Sequence, residues 1–275
     1  MASSEANMPF IRNLASSDRK TRTAALESLR TFLAANGPRL SHLDNMKLWK
    51  GLYYSLWMCD RPIPQQNLCA ELADLINVFP TSSPSPAPEV TVTNWLAAFW
   101  AVMAREWTTG IDVYRMEKFL LLVRRVLGAA LAWSCTPPLT SEKRIGAILA
   151  NLSDWPFDRT SDLSKMPPGL RLHVLDIWVD EVAKLGLLAS DDDDKEDTTT
   201  TKEAGKSLLD GLRALVEAQT KSTCKPVRLR AKESLADERL PWNNAAGGEG
   251  DQDDELESKS NKHISDKDSW DGFDD

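Results

Sequence analysis

Residues 47–62 read KLWKGLYYSLWMCDRP, and this segment is the densest cluster of large apolar side chains in the chain. On a helix these side chains form two stripes whose members recur about every four residues: Leu48, Leu52, Leu56 and Cys59, and Trp49, Tyr53 and Trp57. A helix that is apolar over more than half of its circumference lies at the centre of its domain or contacts neighbours on two sides. We therefore predict that this helix belongs to the core, with stacking of its rings on unpaired bases as the alternative.

Helical periodicity continues on both sides of this segment, and the sequence contains no alternating strand pattern. Asp18, Asp44 and Asp112 are predicted N-caps, and Gly186 is a predicted helix stop. The predicted helices cover approximately residues 18–36, 44–60, 64–79, 93–107, 112–133, 141–152, 168–185, 202–220 and 227–236.

The spacing of these helices indicates a repeat architecture. Helix hairpins would begin near residues 18, 64, 112 and 168, and these starts are close to the roughly 40–47 residue period of HEAT and armadillo repeats. No repeat consensus is visible, so we predict an all-α fold, an irregular HEAT/armadillo-like helical-repeat solenoid of antiparallel helix hairpins. The helical domain spans residues 1–242, with mobile loops at about 80–90 and 190–201, and residues 243–275 form a disordered acidic tail.

The net charge of −8 comes from two acidic segments and not from the body of the chain. Residues 249–275 hold eleven acidic side chains and three lysines, and residues 191–197 hold six acidic side chains and one lysine. The remaining residues carry 29 basic and 24 acidic side chains, so the folded body is mildly basic. A basic surface favours contact with an acidic partner, and RNA is one such partner.

No catalytic motif is present in the sequence, since the patterns GxxxxGK, GxGxxG, GxSxG and HExxH are all missing. His173 lies three residues before Asp176 on one helical face, but no nucleophile accompanies the pair, so an oriented structural histidine is the favoured interpretation. Asp176, Asp180 and Glu181 form an acidic face that either is solvated or binds a metal ion. We predict a protein without catalytic residues, metal, cofactor or small-molecule substrate.

The cysteines and histidines are scattered and form no CxxC pair. This spacing argues against a zinc site and favours reduced, mostly buried thiols in an intracellular protein. The N-terminus lacks the pattern of a secretory signal, and no apolar run reaches the roughly 18 residues of a membrane span. We therefore expect no membrane association.

Basic residues are the candidate contacts with RNA or with a protein partner. Cations in the first turn of a helix oppose its dipole, so the cluster at residues 19–22 favours an external anion. Two adjacent arginines at 124–125 cannot both face the core, and their stems can cover it while the charged groups reach out. For each cluster, a solvated face is the alternative. The candidate residues are Arg19, Lys20, Arg22, Lys47, Lys50, Arg124, Arg125, Lys225, Arg228, Arg230 and Lys232.

Four segments together resemble a known family. They are KLWKGLYYSLWMCDRPIPQQNLCAELA at 47–73, FWAVMAREWTTGIDVYRMEKFLLLVRRVL at 99–127, MPPGLRLHVLDIWVDEV at 166–182 and AKESLADERLPWN at 231–243. In this order they are similar to the conserved blocks of the ribosomal RNA processing protein 1 family, the nucleolar assembly factors of the large ribosomal subunit. The resemblance covers roughly residues 8–243.

The resemblance implies a non-catalytic protein of the nucleus and nucleolus that is needed for pre-rRNA processing and maturation of the large subunit. Its partners would be other assembly factors, ribosomal proteins and pre-rRNA. Many family members carry a long basic C-terminal extension, where this sequence has the short acidic segment 250–275. Two alternatives remain, a HEAT-like adaptor that binds only proteins or peptides, and a helical enzyme that modifies or cleaves RNA.

Overall fold

The computed structural model describes residues 13–14, 16, 18–80, 86–136, 141–160, 162–188 and 199–244. The α-helices are α1 (Arg19–Asn36), α2 (His42–Trp57), α3 (Pro62–Asp74), α4 (Pro88–Thr109), α5 (Met116–Cys135), α6 (Ser141–Asp154), α7 (Pro168–Lys184), α8 (Thr199–Gln219), α9 (Lys225–Leu235) and α10 (Pro241–Asn244). Short 3-10 turns follow α1 at Gly37–Arg39 and α3 at Leu75–Val78. These described residues contain no strand, so the all-α prediction is confirmed.

Local sequence signals set most helix ends. The carboxylate of Asp18 accepts a hydrogen bond from the backbone N–H of Thr21 at 2.8 Å, so the predicted cap of α1 is confirmed. Gly186 has a φ of +74°, a conformation that favours glycine, two residues after Lys184, the last residue of α7. Prolines occupy the first turns of α3, α4, α7 and α9, where a missing N–H leaves no hydrogen bond unmade.

Two predicted caps were wrong. Ser41 caps α2, because its hydroxyl accepts from the N–H of Asp44 at 3.2 Å while the Asp44 carboxylate accepts from the N–H of Ser41 at 3.3 Å. Asp44 is therefore the third residue of a reciprocal capping box. Asp112 lies in a turn ahead of α5, where it accepts from the N–H of Arg115 at 3.0 Å.

The predicted loops are partly helical. The segment predicted as a loop at 80–90 includes the start of α4, and the one at 190–201 includes the start of α8. Residues 243–244, predicted as the start of the tail, belong to α10. Residues 81–85, 189–198 and the rest of the predicted tail, 245–275, lie outside the described residues. Of the helices described, none is both long and apolar enough to cross a membrane.

Alternate helices pack side by side, which arranges the molecule in two rows. The first row consists of α3, α5, α7 and α9, and the second row of α2, α4, α6 and α8. The two rows contact each other mainly through α5 and α6 and through α8 and α9, with smaller contacts between α2 and α3 and between α5 and α8. Helix α1 lies against the 3-10 turn that follows α3. Stacking of this kind is typical of helical-repeat proteins, so the predicted solenoid is confirmed.

The aromatic segment is central, as predicted. Trp49 is 2% exposed, and its ring lies 4.7 Å from Trp95 and 4.8 Å from Phe99 of α4 between centroids. Its indole N–H donates to the carbonyl of Trp95 at 3.0 Å, so a buried polar group is also satisfied. Trp57 is only half-buried, because it lies at the end of α2 with Arg115 stacked over its ring at 4.7 Å.

Candidate functional site

Several of the candidate basic residues form ion pairs within the fold. Lys50 contacts Glu106 of α4 at 2.7 Å, and its ammonium lies 4.6 Å from the ring centres of Tyr53 and Tyr54. Arg230 of α9 pairs with Asp176 of α7. These cations join neighbouring helices of a row, so their charge is already balanced inside the protein.

Arg124 belongs to a chain of ion pairs across the first row. Its guanidinium contacts Asp180 at 2.5 Å and Glu181 at 2.7 Å, both on α7. Asp180 also accepts from Arg239 at 2.9 Å, which connects α7 to the segment after α9. Burial would raise the pKa of Asp180, but the bonds from Arg239 and Arg124 hold it below its ordinary value.

This chain of ion pairs accounts for the acidic face of α7. Asp176, Asp180 and Glu181, the residues considered as metal ligands, all contact arginines. Across the described ranges, no group of three or more His, Cys, Asp and Glu side chains is placed to hold a metal ion. These carboxylates join helices through arginines in this structure.

Two further arginines bind backbone carbonyls. Arg22 donates to the carbonyl of Ser16 at 2.8 Å, and Arg228 donates to those of Ser222 and Thr223 at 2.7 and 2.9 Å. Each arginine therefore helps to hold the segment that precedes its own helix. Lys47 is half-buried on α2.

The other five candidates have exposed side chains, and these side chains form no ion pair or hydrogen bond with the part of the chain that the structure describes: Arg19, Lys20, Arg125, Lys225 and Lys232. They are not gathered in one patch. Two lie in the first turn of α1, one on α5 and two on α9, so they are distributed along the solenoid. Such a distribution suits an extended polyanion better than a compact ligand.

The structure also contains buried cations that the sequence analysis did not single out. Lys118 of α5 is 5% exposed and Arg171 of α7 is 1% exposed. Arg171 donates to the carbonyl of Asp158 at 2.8 Å and to that of Asp162 at 3.2 Å, which fixes the loop between α6 and α7. A single cation inside an apolar helical stripe, as in GLRLHV, is the sequence signal that could have identified this residue.

His173 joins α7 to α5. Its Nε2 lies 2.9 Å from the carbonyl oxygen of Leu120, and burial lowers the pKa of the imidazole below 6.5. Because a carbonyl only accepts, the neutral ring carries its proton on Nε2. This geometry fits the oriented structural histidine favoured from the sequence.

A small cavity lies where the start of α1, the end of α2 and the start of α3 meet. Its volume is about 100 Å³. Its lining includes Arg19 and Arg22, the two arginines of the first basic cluster, together with polar groups that the sequence analysis did not consider. The lining residues are Arg19, Arg22, Thr23, Leu26, Ser55, Cys59, Pro64, Asn67, Leu68 and Glu71.

Two exposed apolar side chains lie in the turn between α4 and α5. Tyr114 is 93% exposed and Val113 is 77% exposed in the turn between α4 and α5. This turn is held against α2, because the hydroxyl of Tyr53 donates to the carbonyl of Gly110 at 2.8 Å. Isolated exposed apolar residues are normal, whereas these two are adjacent on an anchored turn.

Comparison with known proteins gives a consistent result. The family model of the nucleolar protein Nop52 matches residues 5–272. Ribosomal RNA processing protein 1 homolog A of Mus musculus is 33% identical over 177 residues, which cover 63% of this chain and 33% of that protein. The Homo sapiens homolog A is 32% identical over 183 residues, covering 63% and 36%, and the Drosophila melanogaster homolog is 30% identical over 182 residues, covering 64% and 24%.

The matched region spans about a third of the two mammalian relatives. The family model, in contrast, extends over nearly the whole of this chain and includes all four segments that carry the resemblance. The chain therefore belongs to the Nop52 family of nucleolar proteins.

Proposed function

We propose that this protein is a non-catalytic scaffold in the nucleolus that takes part in the biogenesis of the large ribosomal subunit and is needed for pre-rRNA processing. It docks on the precursor particle through protein and rRNA contacts, with other assembly factors, ribosomal proteins and pre-rRNA as its partners. The observation that carries the proposal is the Nop52 match over residues 5–272, together with relatives named for ribosomal RNA processing.

The contacts of the titratable side chains support a role as a scaffold. His173 is held by a backbone carbonyl, and the neighbouring carboxylates of α7 are bound to arginines of other helices. Groups that serve acid–base chemistry need access to a substrate and a pKa near the working pH. In this protein these groups connect helices, which is the property expected of a rigid binding platform.

The exposed cations support direct contact with rRNA. Lys225 and Lys232 on α9 are exposed and free of acidic partners among the described residues, as is Arg125 on α5. Each phosphate that a cation neutralises releases counterions, so the affinity should fall with salt by about 0.7 log units per contact per tenfold change in concentration. A series of such contacts recognises the phosphate backbone of the RNA and not the base sequence.

The exposed pair Val113 and Tyr114 supports the protein contacts. A tyrosine that is almost fully exposed on an anchored turn offers a large contact area at little cost in conformational entropy. The adaptor without direct RNA binding is favoured by the same two residues, so RNA affinity is the property that separates the two functions.

The test is purification of the tagged protein from nucleolar extract with RNA crosslinking, followed by salt titration of binding to a pre-rRNA fragment. We expect large-subunit precursors in the purified fraction and a negative log–log slope of affinity against salt. A double charge reversal, Lys225→Glu with Lys232→Glu, should weaken RNA binding without lowering the melting temperature. The matched control is Lys143→Glu with Lys206→Glu, which changes the net charge equally at exposed positions of the second row.

Two outcomes would contradict the proposal. Absence of large-subunit precursors from the purified fraction would refute the role in subunit biogenesis. Binding of an assembly factor without measurable RNA affinity at about 50 mM salt would favour the adaptor.

A further inference from the structure

The cavity between α1, α2 and α3 has the composition of a small anion site. Arg19 and Arg22 contribute two positive charges to its lining, and Glu71 contributes one negative charge. The start of α1 does not add to this charge, because the carboxylate of Asp18 already caps it through the N–H of Thr21. The residues that line the cavity therefore carry more positive than negative formal charge, although the molecule as a whole is acidic.

Ser55 is the second, independent observation at this site. It lies on α2, is 3% exposed and lines the cavity. Its hydroxyl makes no hydrogen bond with any residue that the structure describes. Buried hydroxyls nearly always have a partner, and a serine inside a helix commonly bonds to a carbonyl of the preceding turn. A serine hydroxyl that lines a cavity without such a bond is available to donate to a group that enters the cavity.

The size of the cavity limits what can enter. A volume of about 100 Å³ admits a few water molecules or one compact oxyanion, whereas sites for whole small molecules are typically about 300–1,000 Å³. The cavity is thus suited to a single charged group at the end or in the backbone of a larger ligand. Thr23 and Asn67, which also line it, can donate further hydrogen bonds to such a group.

We propose that this cavity binds one phosphate group of an RNA backbone. Arg19 and Arg22 supply the positive charge, and the Ser55 hydroxyl donates to a phosphate oxygen from inside the fold. The proposal rests on the proposed function and deepens it, because it assigns one phosphate contact to one place in the solenoid. Arginine is well suited to phosphate because its planar group presents several donors at once.

An RNA backbone fits the surroundings better than a single phosphorylated side chain. Lys20 follows Arg19 in the same turn of α1, is exposed and has no acidic partner in the described part of the chain. It is not part of the cavity lining, so it offers a second cation outside the cavity. A polynucleotide supplies successive phosphates to both positions, whereas a phosphopeptide supplies an isolated one.

The experiment compares matched variants in two binding assays. Ser55→Ala removes the buried donor, and its control is Ser28→Ala, which removes an exposed hydroxyl of α1 that bonds to the carbonyl of Ala24. Arg19→Gln removes a cavity cation, and its control is Lys143→Gln on α6. Fluorescence anisotropy with a labelled pre-rRNA fragment measures affinity over a range of salt concentrations. The shift of the melting temperature with inorganic phosphate measures occupation of the cavity itself.

We expect Ser55→Ala to weaken RNA binding about tenfold, since it removes a hydrogen bond to a charged group. Arg19→Gln should reduce the salt slope by about 0.7, the value of one lost contact with a single strand. Both variants should lose the stabilisation by inorganic phosphate, while the two controls retain it. Arg19 is exposed, so this variant keeps the test valid even where the buried Ser55→Ala affects folding.

The results that would contradict the phosphate site differ from those that would contradict the proposed function. Equal RNA affinity of Ser55→Ala and Ser28→Ala, with an unchanged slope for Arg19→Gln and an unchanged phosphate effect in both cavity variants, would overturn the phosphate site while association with the precursor particle still stands. Loss of the phosphate effect without any change in RNA affinity would overturn RNA as the occupant in favour of a phosphorylated protein. Failure of the wild-type chain to associate with precursors would refute the proposed function whichever variant is used.

Discussion

The ammonium group of Lys118 on α5 donates a hydrogen bond of 2.8 Å to the carbonyl oxygen of Trp57, the last residue of α2. A second bond of 3.0 Å reaches the carbonyl of Cys59. The final carbonyls of a helix have no partner within the helix and carry a partial negative charge. A buried lysine from the first row therefore caps a helix of the second row and connects the two.

We predict that Lys118→Met destabilises the protein by about 1–3 kcal/mol, because it leaves buried carbonyls without a donor. Burial also lowers the pKa of Lys118, so removal of the charge relieves some desolvation and limits the loss. Chemical denaturation measures the effect. Lys143→Met, at an exposed position of α6, is the control, and equal stability of the two variants would show that Lys118 does not cap α2.

We predict that His173 makes the free energy of unfolding depend on pH. Burial lowers the pKa of its imidazole in the folded protein below 6.5, so the unfolded chain takes up the proton first as the pH falls. The contribution of the neutral imidazole to the stability of the protein is fully present above pH 6.5. It is lost as the pH falls from 6.5 towards the pKa of His173 in the folded protein. The lowered pKa values of Asp158, Asp180 and Asp237 act only at more acidic pH, below about 3.8.

The measurement is the free energy of unfolding between pH 7.5 and 5.5. The wild-type protein should lose stability over this range, with a limiting slope of about 1.4 kcal/mol per pH unit. His173→Gln removes the titrating group and should give a flatter profile. A profile of the variant parallel to that of the wild type would assign the pH dependence to another group.

Arg124 and Arg125 are adjacent in sequence and should respond in opposite ways. Arg124→Met removes the bonds to Asp180 and to Glu181, whose side chain is only 6% exposed and keeps Lys184 as its other partner, and should cost about 1–3 kcal/mol in unfolding free energy. Arg125→Met should leave stability unchanged and reduce the salt slope of RNA binding by about 0.7. An Arg124→Met variant that is fully stable but weaker in RNA binding would reverse this assignment.

Two glycines within helices give a matched pair for packing. A Cβ at Gly146 of α6 meets no atom within 4 Å, so Gly146→Ala should stabilise the protein by about 0.5–1 kcal/mol through helix propensity. A Cβ at Gly211 of α8 would collide with the side chain of Leu149 on α6. Overpacking typically costs about 1–3 kcal/mol, which exceeds the gain in propensity. The melting temperature should therefore rise for Gly146→Ala and fall for Gly211→Ala. A stabilised Gly211→Ala variant would show that Leu149 moves aside at little cost in free energy.

We predict that substitutions in the turn between α4 and α5 weaken protein binding without changing the stability of the fold. Tyr114→Ser with Val113→Ser removes two largely exposed apolar side chains and should leave the melting temperature unchanged. We expect the double variant to recover less of the partner assembly factors from nucleolar extract. Leu163→Ser, at a 49% exposed position in another loop, is the control, and equal recovery by both variants would exclude this turn as the contact surface.

Most of the helical architecture follows from short-range patterns. The cap at Asp18, the stop at Gly186 and the burial of Trp49 were predictable, because each depends on residues within one or two helical turns. The cap of α2 was misassigned for a local reason as well. Ser41 and Asp44 are both good caps, and only the reciprocal bonds between them show which one precedes the helix.

The sequence by itself determined which segments are helical, which faces are apolar and, through four blocks of residues, the family. Only the tertiary structure decided which cations are available to a partner. Arg124 meets Glu181 from 57 positions away, and Lys50 meets Glu106 from the next helix of its row. Adjacent Arg125 meets no such partner among the described residues. The periodicity of the sequence predicts on which face of a helix a charged side chain lies. Whether an ion pair neutralises that charge depends on the helix that packs against that face.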